Sequence, residues 1–324
     1  MTMSRIIGLG YYAPDKVYDN AYMEKIVETS DEWITQRTGI KERHIAADDE
    51  FTSDLATRAA LNAIKDAGIT AEEIDLIILT TVTPDYFTPS TACVVQKNIG
   101  AVNAAAFDLN AACSGFATAM TVADQFLSNG TYKKILVVSA DALSKATDYA
   151  DRGTCILFGD GAGAVVLSDE KGGILSTWIG ARGEGGDKLT SLAYREDAEE
   201  VEKRVSHDKS TVWMAGSEVM KFAVKIMAEA AEKVVADAGL TWDDVDIIIP
   251  HQANMRIVES AAKRMGITTD RMFVNLDRYG NTSGASIPIA LCEARDAGRL
   301  KKGDKAVLVG FGGGLTWAAA LIEY

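Results

Sequence analysis

The sequence predicts an α/β fold made of two similar halves, because an internal repeat runs through the chain and its apolar segments are short. Residues 74–78 match residues 245–249, and residues 134–138 match residues 305–309, so both pairs share an offset of 171 in sequence number (74 to 245, 134 to 305). Each segment is a short, mostly apolar run, as expected of strands in a sheet that helices cover on both faces. Matches in the same order indicate a duplicated α/β unit.

Each half is expected to contain a helix, a strand, a connector, a strand, a helix and a strand. The first helix ends in Asp-Ala-Gly in both halves, at 66–68 and 237–239, and a Ser-Gly pair that opens a later helix recurs at 114–115 and 283–284, with an offset of 169 (114 to 283). We place the boundary near residue 170, which gives an N-terminal half, 1–170, and a C-terminal half, 171–324. Duplicated halves bring equivalent strand ends to one crevice, so we expect the functional site there.

One stretch of the C-terminal half does not follow the repeat. It contains Gly180, Gly183, Gly185 and Gly186 and continues into a charged run at 195–209. Glycines and clustered charges are typical of loops on the surface. The stretch is therefore expected to be an exposed excursion that does not contribute to the core.

Composition excludes several classes of protein. Hydrophobic residues make up 48% of the chain and charged residues 24%, which is typical of a globular protein. A formal net charge of −13 repels polyanions, so nucleic acid is a poor candidate partner and an anionic substrate would need a local basic patch. No apolar run approaches the roughly 20 residues that cross a membrane, and no signal peptide is recognisable, so we expect a cytoplasmic protein. The spacing of the four cysteines predicts neither a metal site nor a disulfide framework.

Cys113 is the candidate nucleophile. It follows the strand-like segment 104–109 and is expected to begin a helix, where backbone N–H groups and the helix dipole stabilise a thiolate. The alternative is a structural cysteine, because the small residues around it also permit close helix packing.

Two polar residues of the C-terminal half are expected to face Cys113. His251 directly follows the apolar segment 246–250, and the repeat aligns Asn281 with the loop that contains Cys113. Taken separately, His251 fits a structural histidine and Asn281 a turn residue. A cysteine, an imidazole and a carboxamide that converge from two halves would supply a nucleophile, a proton or hydrogen-bond partner and a neutral donor.

Two glycine-rich segments have different predicted roles. Residues 310–314 end a strand, and the backbone N–H groups of Gly313 and Cys113 are the candidates for stabilising an oxyanion. Residues 159–163 lack the G-x-G-x-x-G spacing of a phosphate-binding turn and lead into a strand, which favours tight backbone packing.

A basic stripe is predicted on the helix that follows His251. Arg256, Lys263 and Arg264 lie near one face of that helix. Such charges usually form only a solvent-exposed face of a helix. In a chain this acidic, however, a basic stripe beside the site would also suit an acidic carrier protein.

Five short segments distributed along the chain establish a family resemblance. They are Thr-Ser-Asp-Glu-Trp-Ile at 29–34 with Arg-Thr-Gly-Ile at 37–40, Ala-Ala-Cys-Ser-Gly-Phe at 111–116, Asp-Arg-Gly at 151–153, Pro-His-Gln-Ala-Asn at 250–254 and Gly-Asn-Thr-Ser at 280–283. With these segments the chain resembles, nearly end to end, the β-ketoacyl-acyl-carrier-protein synthase III family of the thiolase-like superfamily. The resemblance implies a duplicated thiolase-like αβαβα fold of five layers, a homodimer, and Cys113, His251 and Asn281 as the catalytic triad.

The resemblance also implies an acyltransferase that initiates fatty-acid synthesis. Cys113 would take an acyl group from coenzyme A, which is a substrate here and not a permanently bound cofactor, and a malonyl group on acyl-carrier protein would then lose carbon dioxide and condense with it. Trp33 and Arg152 would sandwich the adenine of coenzyme A. The other implied residues are Thr29, Arg37 and Asn254 for coenzyme A, Phe87 (across the dimer) and Met220 for the acyl pocket, and Lys221, Arg256, Lys263 and Arg264 for the carrier protein.

Several alternatives remain at the level of sequence. A thiolase of related fold uses a second cysteine just before its C-terminal glycine run, where this chain has Gly310. Plant-type polyketide synthases share the triad but are typically longer, whereas a same-fold enzyme that primes a specialised polyketide-type pathway stays open. Met220 replaces a frequent phenylalanine, so the acyl-chain preference is also open. A NAD(P)-dependent dehydrogenase lacks its phosphate-binding fingerprint here, and a non-catalytic scaffold protein would not acquire acyl mass at Cys113.

Overall fold

A computed structural model describes residues 3–194 and 197–324, and both halves of the chain alternate strands and helices. The N-terminal half contains β1 (Met3–Tyr12), β2 (Val17–Asp19), α1 (Asn20–Met23), α2 (Asp31–Thr38), β3 (Glu42–His44), α3 (Thr52–Ala67), β4 (Leu76–Thr80), α4 (Thr91–Ile99), β5 (Ala105–Leu109), α5 (Gly115–Ser128), β6 (Lys134–Ala142), α6 (Arg152–Cys155) and β7 (Asp160–Ser168). The C-terminal half contains β8 (Gly172–Ala181), β9 (Leu189–Thr190), α7 (Ala198–Glu202), β10 (Trp213–Met214), α8 (Gly216–Asp237), β11 (Ile247–Pro250), α9 (Met255–Met265), α10 (Leu276–Tyr279), α11 (Ser286–Asp296), β12 (Lys305–Gly312) and β13 (Thr316–Glu323).

The main strands follow the same order in both halves. The sheet order is β11-β12-β13-β8-β1-β7-β6-β4-β5, so β4-β6-β7-β1 and β11-β12-β13-β8 are equivalent series. In each series the first pair is parallel and the next two pairs are antiparallel. Among the described residues, the strands of the two series pair where Met3 lies opposite Gly172 and Ser4 opposite Gly173. The predicted duplication is confirmed for these series, but the second strand predicted in each half is wrong for the C-terminal half: between β11 and α11 the described residues form only an isolated bridge, Ile248 with Met272, where the N-terminal half has β5. The boundary near residue 170 falls between β7 and β8 but stays a prediction as a domain limit.

Helices cover these strands in three layers. α3 and α4 pack on the outer face of the N-terminal series, and α8 and α9 pack together on the outer face of the C-terminal series. α5 and α11 lie between the two series, since each contacts strands of both halves. The result is an αβαβα arrangement of five layers, whose central helices begin beside the strand ends of both halves.

α3 shows how the sequence produces this packing. Its buried residues recur at helical spacing, so that one face of the helix is apolar. The helix ends at Gly68, whose φ of 67° is the left-handed conformation that glycine adopts without strain. The buried face consists of Thr52, Ser53, Leu55, Ala56, Ala59, Ala60, Ala63 and Ile64.

The glycine segment at 159–163 packs tightly, as predicted. A Cβ atom on Gly163 would lie 2.6 Å from Cβ of Pro288, so only glycine lets α11 approach β7 this closely. The segment runs into β7 and does not open a helix.

The structure corrects one match of the repeat. A 3₁₀ turn at Ala112–Ser114 precedes α5, and an equivalent turn at Ser283–Ala285 precedes α11, so the offset here is also 171 (112 to 283) and not 169. Ala112 and Ser283 are the true equivalents, and both have positive φ, 47° and 53°. Cys113 therefore lies within the turn before α5, ahead of the start of the helix at Gly115.

The excursion is only partly exposed. The run predicted at 195–209 begins with Arg195 and Glu196, which lie outside the described residues. Further along, Arg204 is only 3% exposed, and its guanidinium donates hydrogen bonds to backbone oxygens of Thr190, Glu200 and Thr211. The prediction that this run does not contribute to the core is therefore wrong at Arg204. Its guanidinium can be buried because backbone carbonyl groups replace water as its hydrogen-bond partners. Among the described helices, none has the length and apolarity needed to cross a membrane.

Candidate active site

Cys113 lies in the turn that leads from β5 into α5. Cys113 is partly accessible to solvent. Gly312 packs directly against it, since a Cβ atom there would lie 2.6 Å from the backbone nitrogen of Cys113. The candidate nucleophile is thus closely packed between the start of α5 and the end of β12.

His251 follows the last residue of β11 and is only 1% exposed. Its backbone nitrogen donates to the carbonyl of Val309 on β12 at 2.8 Å, which fixes the chain at the strand end. Nδ1 of the ring lies 2.7 Å from the hydroxyl of Ser286, and the edge of the ring meets Phe311 at 5.2 Å between centroids. The imidazole is therefore held in one orientation by a hydrogen bond on one side and an aromatic ring on another.

Asn281 is fixed through its backbone. Its nitrogen donates to Leu157 at 2.8 Å, and its carbonyl accepts from Gly159 at 3.0 Å, so the segment before β7 positions it. The side-chain Oδ1 accepts the backbone N–H of Ser283 at 2.9 Å. With the oxygen engaged, the NH₂ end of the carboxamide is the part that a ligand can use.

These three side chains line one cavity of about 90 Å³. The structure therefore brings together residues from two halves that lie far apart in sequence, at positions 113, 251 and 281. The walls are mainly apolar, as is usual in small-molecule sites. They also include Leu157, Phe158, Leu189, Met214, Gly216, Val219, Met220, Ala253, Asn254, Ile257, Phe311 and Gly312.

Burial sets the electrostatics of the site. It raises the pKa of the Cys113 thiol to about 12, opposed by the nearby hydroxyl of Ser283. It lowers the pKa of the His251 imidazole to about 3. The position near a helix start favours the thiolate, whereas burial favours the thiol, and burial is the larger of the two effects on the pKa of Cys113. At neutral pH both groups are uncharged.

A buried carboxyl group, Asp141, lies behind the nucleophile. Its Oδ1 accepts hydrogen bonds from the hydroxyl of Thr81 and the backbone N–H of Val82, while burial raises the pKa of the carboxyl. Ser283 lowers the pKa of both Asp141 and Cys113. Sequence reasoning missed Asp141, Ser283 and Ser286, since only the fold brings them next to the triad.

The residues predicted to bind coenzyme A cluster around α2. The guanidiniums of Arg37 and Arg152 lie 5.6 Å and 4.9 Å from the ring of Trp33. Thr29 Oγ1 is buried and has no hydrogen-bond partner among the described residues. Asn254 lines the cavity of Cys113 and donates to the carbonyl of Arg37 at 3.1 Å, which links this cluster to the cavity.

The structure places the other predicted contacts as follows. Met220 lines the cavity, whereas Phe87 does not: it is 71% exposed and its ring packs on Tyr194, 4.6 Å between centroids. Gly313 follows Gly312 but is not itself in the cavity wall. Phe87 therefore has no role in the acyl pocket of its own chain.

The four predicted carrier-protein contacts are all exposed. Lys221 lies on α8 and Arg256, Lys263 and Arg264 lie on α9, which packs against α8. Arg264 forms an ion pair with Glu229 at 3.4 Å, which neutralises part of the stripe.

Comparison with known proteins identifies the family. The C-terminal model of 3-oxoacyl-[acyl-carrier-protein] synthase III matches residues 235–324, and a second model of the same enzyme matches residues 107–183. β-Ketoacyl-[acyl-carrier-protein] synthase III of Clostridioides difficile is 51% identical over 324 residues, which is 100% of this chain and 99% of the relative. The chain belongs to the β-ketoacyl-[acyl-carrier-protein] synthase III family.

Solved structures of this family agree with the fold. A crystal structure of 3-oxoacyl-[acyl-carrier-protein] synthase III from Aquifex aeolicus has 46% identity and a TM-score of 0.92, with 99% of this chain and all of that chain covered. The priming β-ketosynthase of the R1128 polyketide pathway has 34% identity and a TM-score of 0.91, with 99% of this chain and 96% of that chain covered. The predicted five-layered thiolase-like fold is confirmed. Membership of the synthase III family also confirms an acyltransferase and excludes the dehydrogenase alternative.

Proposed function

We propose that this synthase III family member condenses an acyl group from coenzyme A with a malonyl group on acyl-carrier protein, releasing carbon dioxide. The observation that supports this best is the convergence of Cys113, His251 and Asn281 on one enclosed cavity. The relative from Clostridioides difficile is named for a β-ketoacyl-acyl-carrier-protein synthase. The reaction would initiate fatty-acid synthesis in the cytoplasm and need no bound cofactor.

The first half-reaction transfers the acyl group to the enzyme. The sulfur of Cys113 attacks the thioester carbonyl while the C–S bond to coenzyme A breaks, and the thiol proton leaves with coenzyme A. Backbone N–H groups of Cys113 and Gly313 stabilise the oxyanion that forms. Because burial raises the pKa of the resting thiol to about 12, deprotonation has to accompany the attack.

The second half-reaction forms the carbon–carbon bond. The C–C bond to the malonyl carboxylate breaks and carbon dioxide leaves. The electrons of that bond form an enolate with the thioester carbonyl, and His251 and Asn281 donate hydrogen bonds to the enolate oxygen. The enolate carbon attacks the acyl group on Cys113, and the departing thiolate takes a proton from solvent. Since decarboxylation itself generates the carbanion, no strong base is required, which agrees with an imidazole whose pKa burial lowers to about 3.

Coenzyme A would bind between α2 and α6. Trp33 offers one face to the adenine, but Arg152 lies over that ring and is anchored by a hydrogen bond to the carbonyl of Glu28 at 3.0 Å. Adenine can enter the stack only if Arg152 moves outward. The hydroxyl of Thr29, which has no hydrogen-bond partner among the described residues, would contact the same nucleotide end once it is uncovered, and Arg37 and Asn254 would lie along the path to Cys113.

A second copy of the chain would complete the acyl pocket. β5 is one of the two edge strands of the sheet and is incompletely covered, and an open edge with apolar residues is normally covered by a partner. Phe87 is largely exposed, although its ring contacts Tyr194, and would reach the cavity of that copy, where Met220 lines the wall. Acidic carrier protein would dock on the basic residues of α8 and α9, namely Lys221, Arg256, Lys263 and Arg264.

Intact-mass spectrometry tests both half-reactions. The protein mixed with acetyl, branched or longer acyl esters of coenzyme A should gain one acyl mass, and Cys113→Ala should gain none. His251→Ala and Asn281→Ala should still gain the acyl mass, but carbon dioxide release from malonyl-carrier protein should fall by about 10²–10³-fold in each. Acyl transfer that persists without the Cys113 sulfur, or normal decarboxylation by both other variants, would contradict the assigned roles.

A second candidate is the priming of a specialised polyketide-type pathway. It is favoured by the likeness to the R1128 priming ketosynthase, which has the same fold at 34% identity. The two candidates differ in the acyl ester and in the carrier protein that give the fastest turnover, which the same experiment measures.

A further inference from the structure

Ser286 is the first residue of α11 and lies against the ring of His251. Its hydroxyl oxygen is 2.7 Å from Nδ1 of His251 and also accepts the backbone N–H of Gln252 at 3.3 Å. Ser286 is 2% exposed, and His251 is 1% exposed. Protein atoms surround most of both side chains, so the neighbouring protein groups largely decide where the hydrogens lie.

The hydrogen bonds select one form of the imidazole. A neutral histidine has a hydrogen on only one ring nitrogen, and the partner of the other nitrogen usually fixes which one. If Nδ1 had the hydrogen, Ser286 would accept two N–H groups, and its own hydroxyl hydrogen would have no acceptor among the described residues. If Nδ1 is bare, the hydroxyl donates to it and accepts the backbone N–H of Gln252, so both hydrogens at this contact have an acceptor. A buried hydroxyl without an acceptor is unfavourable, so the second form is more stable.

We propose that Ser286 is a positioning residue that keeps the hydrogen of His251 on Nε2, the nitrogen on the opposite edge of the ring. This role rests on the proposed function, in which His251 donates to the thioester carbonyl of the malonyl substrate. Nε2–H is a hydrogen-bond donor and has no lone pair for a proton. His251 in this form stabilises the enolate but does not act as the base for Cys113.

The duplicated fold explains why the serine acts in only one half. α5 and α11 begin at equivalent positions, Gly115 and Ser286, which share the offset of the repeat. A Cβ atom on Gly115 would lie 3.0 Å from Cβ and Oγ1 of Thr80, so a serine there would require Thr80 to shift. Only the C-terminal half combines a histidine at the strand end with a hydroxyl at the helix start.

Nitrogen NMR on protein with ¹⁵N-labelled histidine reads the tautomer directly, and the chain has only three histidines. In the wild type, the ¹⁵N signals of His251 should show that Nε2 has the hydrogen and that Nδ1 has none. Ser286→Ala should lose this single tautomer, and its kcat for malonyl decarboxylation should fall about 10–100-fold with KM for malonyl-carrier protein unchanged. Acylation of Cys113 should proceed at the wild-type rate, and Ser286→Thr should restore the tautomer and the rate.

Ser168→Ala is a matched control, because Ser168 is buried and its hydroxyl has no partner among the described residues. It should leave the His251 signals and both half-reactions unchanged. A wild-type spectrum with the hydrogen on Nδ1, or a Ser286→Ala variant that decarboxylates normally, would overturn the proposal, as would equal slowing of acylation and decarboxylation. If the wild type took no acyl group at all, the proposed function would fail, while the tautomer result would still decide the role of Ser286.

Discussion

Replacing Gly312 by alanine tests whether the backbone around Cys113 takes part in acyl transfer. The added Cβ atom would lie 2.6 Å from the backbone nitrogen of Cys113, 3.3 Å from its Cα and 3.0 Å from Cβ of Ala112. None of these atoms belongs to a flexible side-chain end. The turn before α5 therefore has to move, and the N–H group of Cys113 moves with it.

Two penalties of known size follow from this displacement. Overpacking of a well-filled interior usually destabilises by about 1–3 kcal/mol. Loss of one oxyanion donor usually slows acyl transfer by about 10²–10³-fold, which corresponds to roughly 2.7–4 kcal/mol of transition-state stabilisation. We expect Gly312→Ala to fold with a lower melting temperature and to acylate Cys113 by at least about 10²-fold more slowly.

Rapid-quench mass spectrometry gives the acylation rate, and thermal unfolding gives the stability. Gly183→Ala is the matched control, since a Cβ atom at Gly183 meets no atom within 4 Å, and both of its values should equal those of the wild type. Acylation of Gly312→Ala at the wild-type rate would refute the assigned role of the Cys113 N–H group. A lower melting temperature with unchanged acylation would show that Gly312 matters for packing alone.

Two further predictions concern the nucleotide site and the imidazole. Arg152→Ala removes one face of the adenine stack, so coenzyme A should bind about 3–30-fold more weakly, as measured by quenching of Trp33 fluorescence. Arg58→Ala removes a similar contact with Tyr12 and should bind coenzyme A normally. Equal affinities in both variants would contradict the stack. Burial lowers the pKa of His251 to about 3 in the folded chain, whereas in the unfolded chain the imidazole binds a proton near pH 6.5. The contribution of this histidine to the free energy of unfolding therefore decreases as pH falls from about 6.5 towards 3. His251→Gln should therefore lose less stability than the wild type between pH 7 and pH 4 in denaturant titrations, and identical losses would show that the ring is already charged in the fold.

The repeated strands could be predicted from sequence because their apolar runs are encoded locally. Segments 74–78 and 245–249 contain little besides apolar residues, and β4 and β11 form there. The alignment of the turns before α5 and α11 was shifted by two positions, because Ser-Gly recurs at 114 and 283 by coincidence. Backbone conformation resolves the alignment, since Ala112 and Ser283 share an unusual positive φ.

The walls and the charge state of the site could not be predicted in this way. Leu189 and Met214 belong to β9 and β10, two very short strands with no periodic pattern, yet both line the cavity of Cys113. The position of Cys113 near a helix start predicts a stabilised thiolate, whereas the pKa depends on how much protein surrounds the sulfur. That burial comes from β12 and from the turn containing Ser283, both of which belong to the other half of the chain.

Duplication places equivalent residues on both sides of the cavity, but side-chain packing permits only one active site. By the offset of the repeat, position 80 is equivalent to position 251, and in the N-terminal half Thr80 donates a hydrogen bond to Ser139 at 2.7 Å where the C-terminal half has His251. Gly284 is equivalent to Cys113, and a Cβ atom there would lie 2.5 Å from the hydroxyl of Ser139. A cysteine at position 284 would therefore require the Ser139 hydroxyl to move, which disturbs its hydrogen bond with Thr80. The nucleophile thus comes from the N-terminal half and the imidazole and carboxamide come from the C-terminal half, which is the arrangement that lets one acyl group meet one enolate.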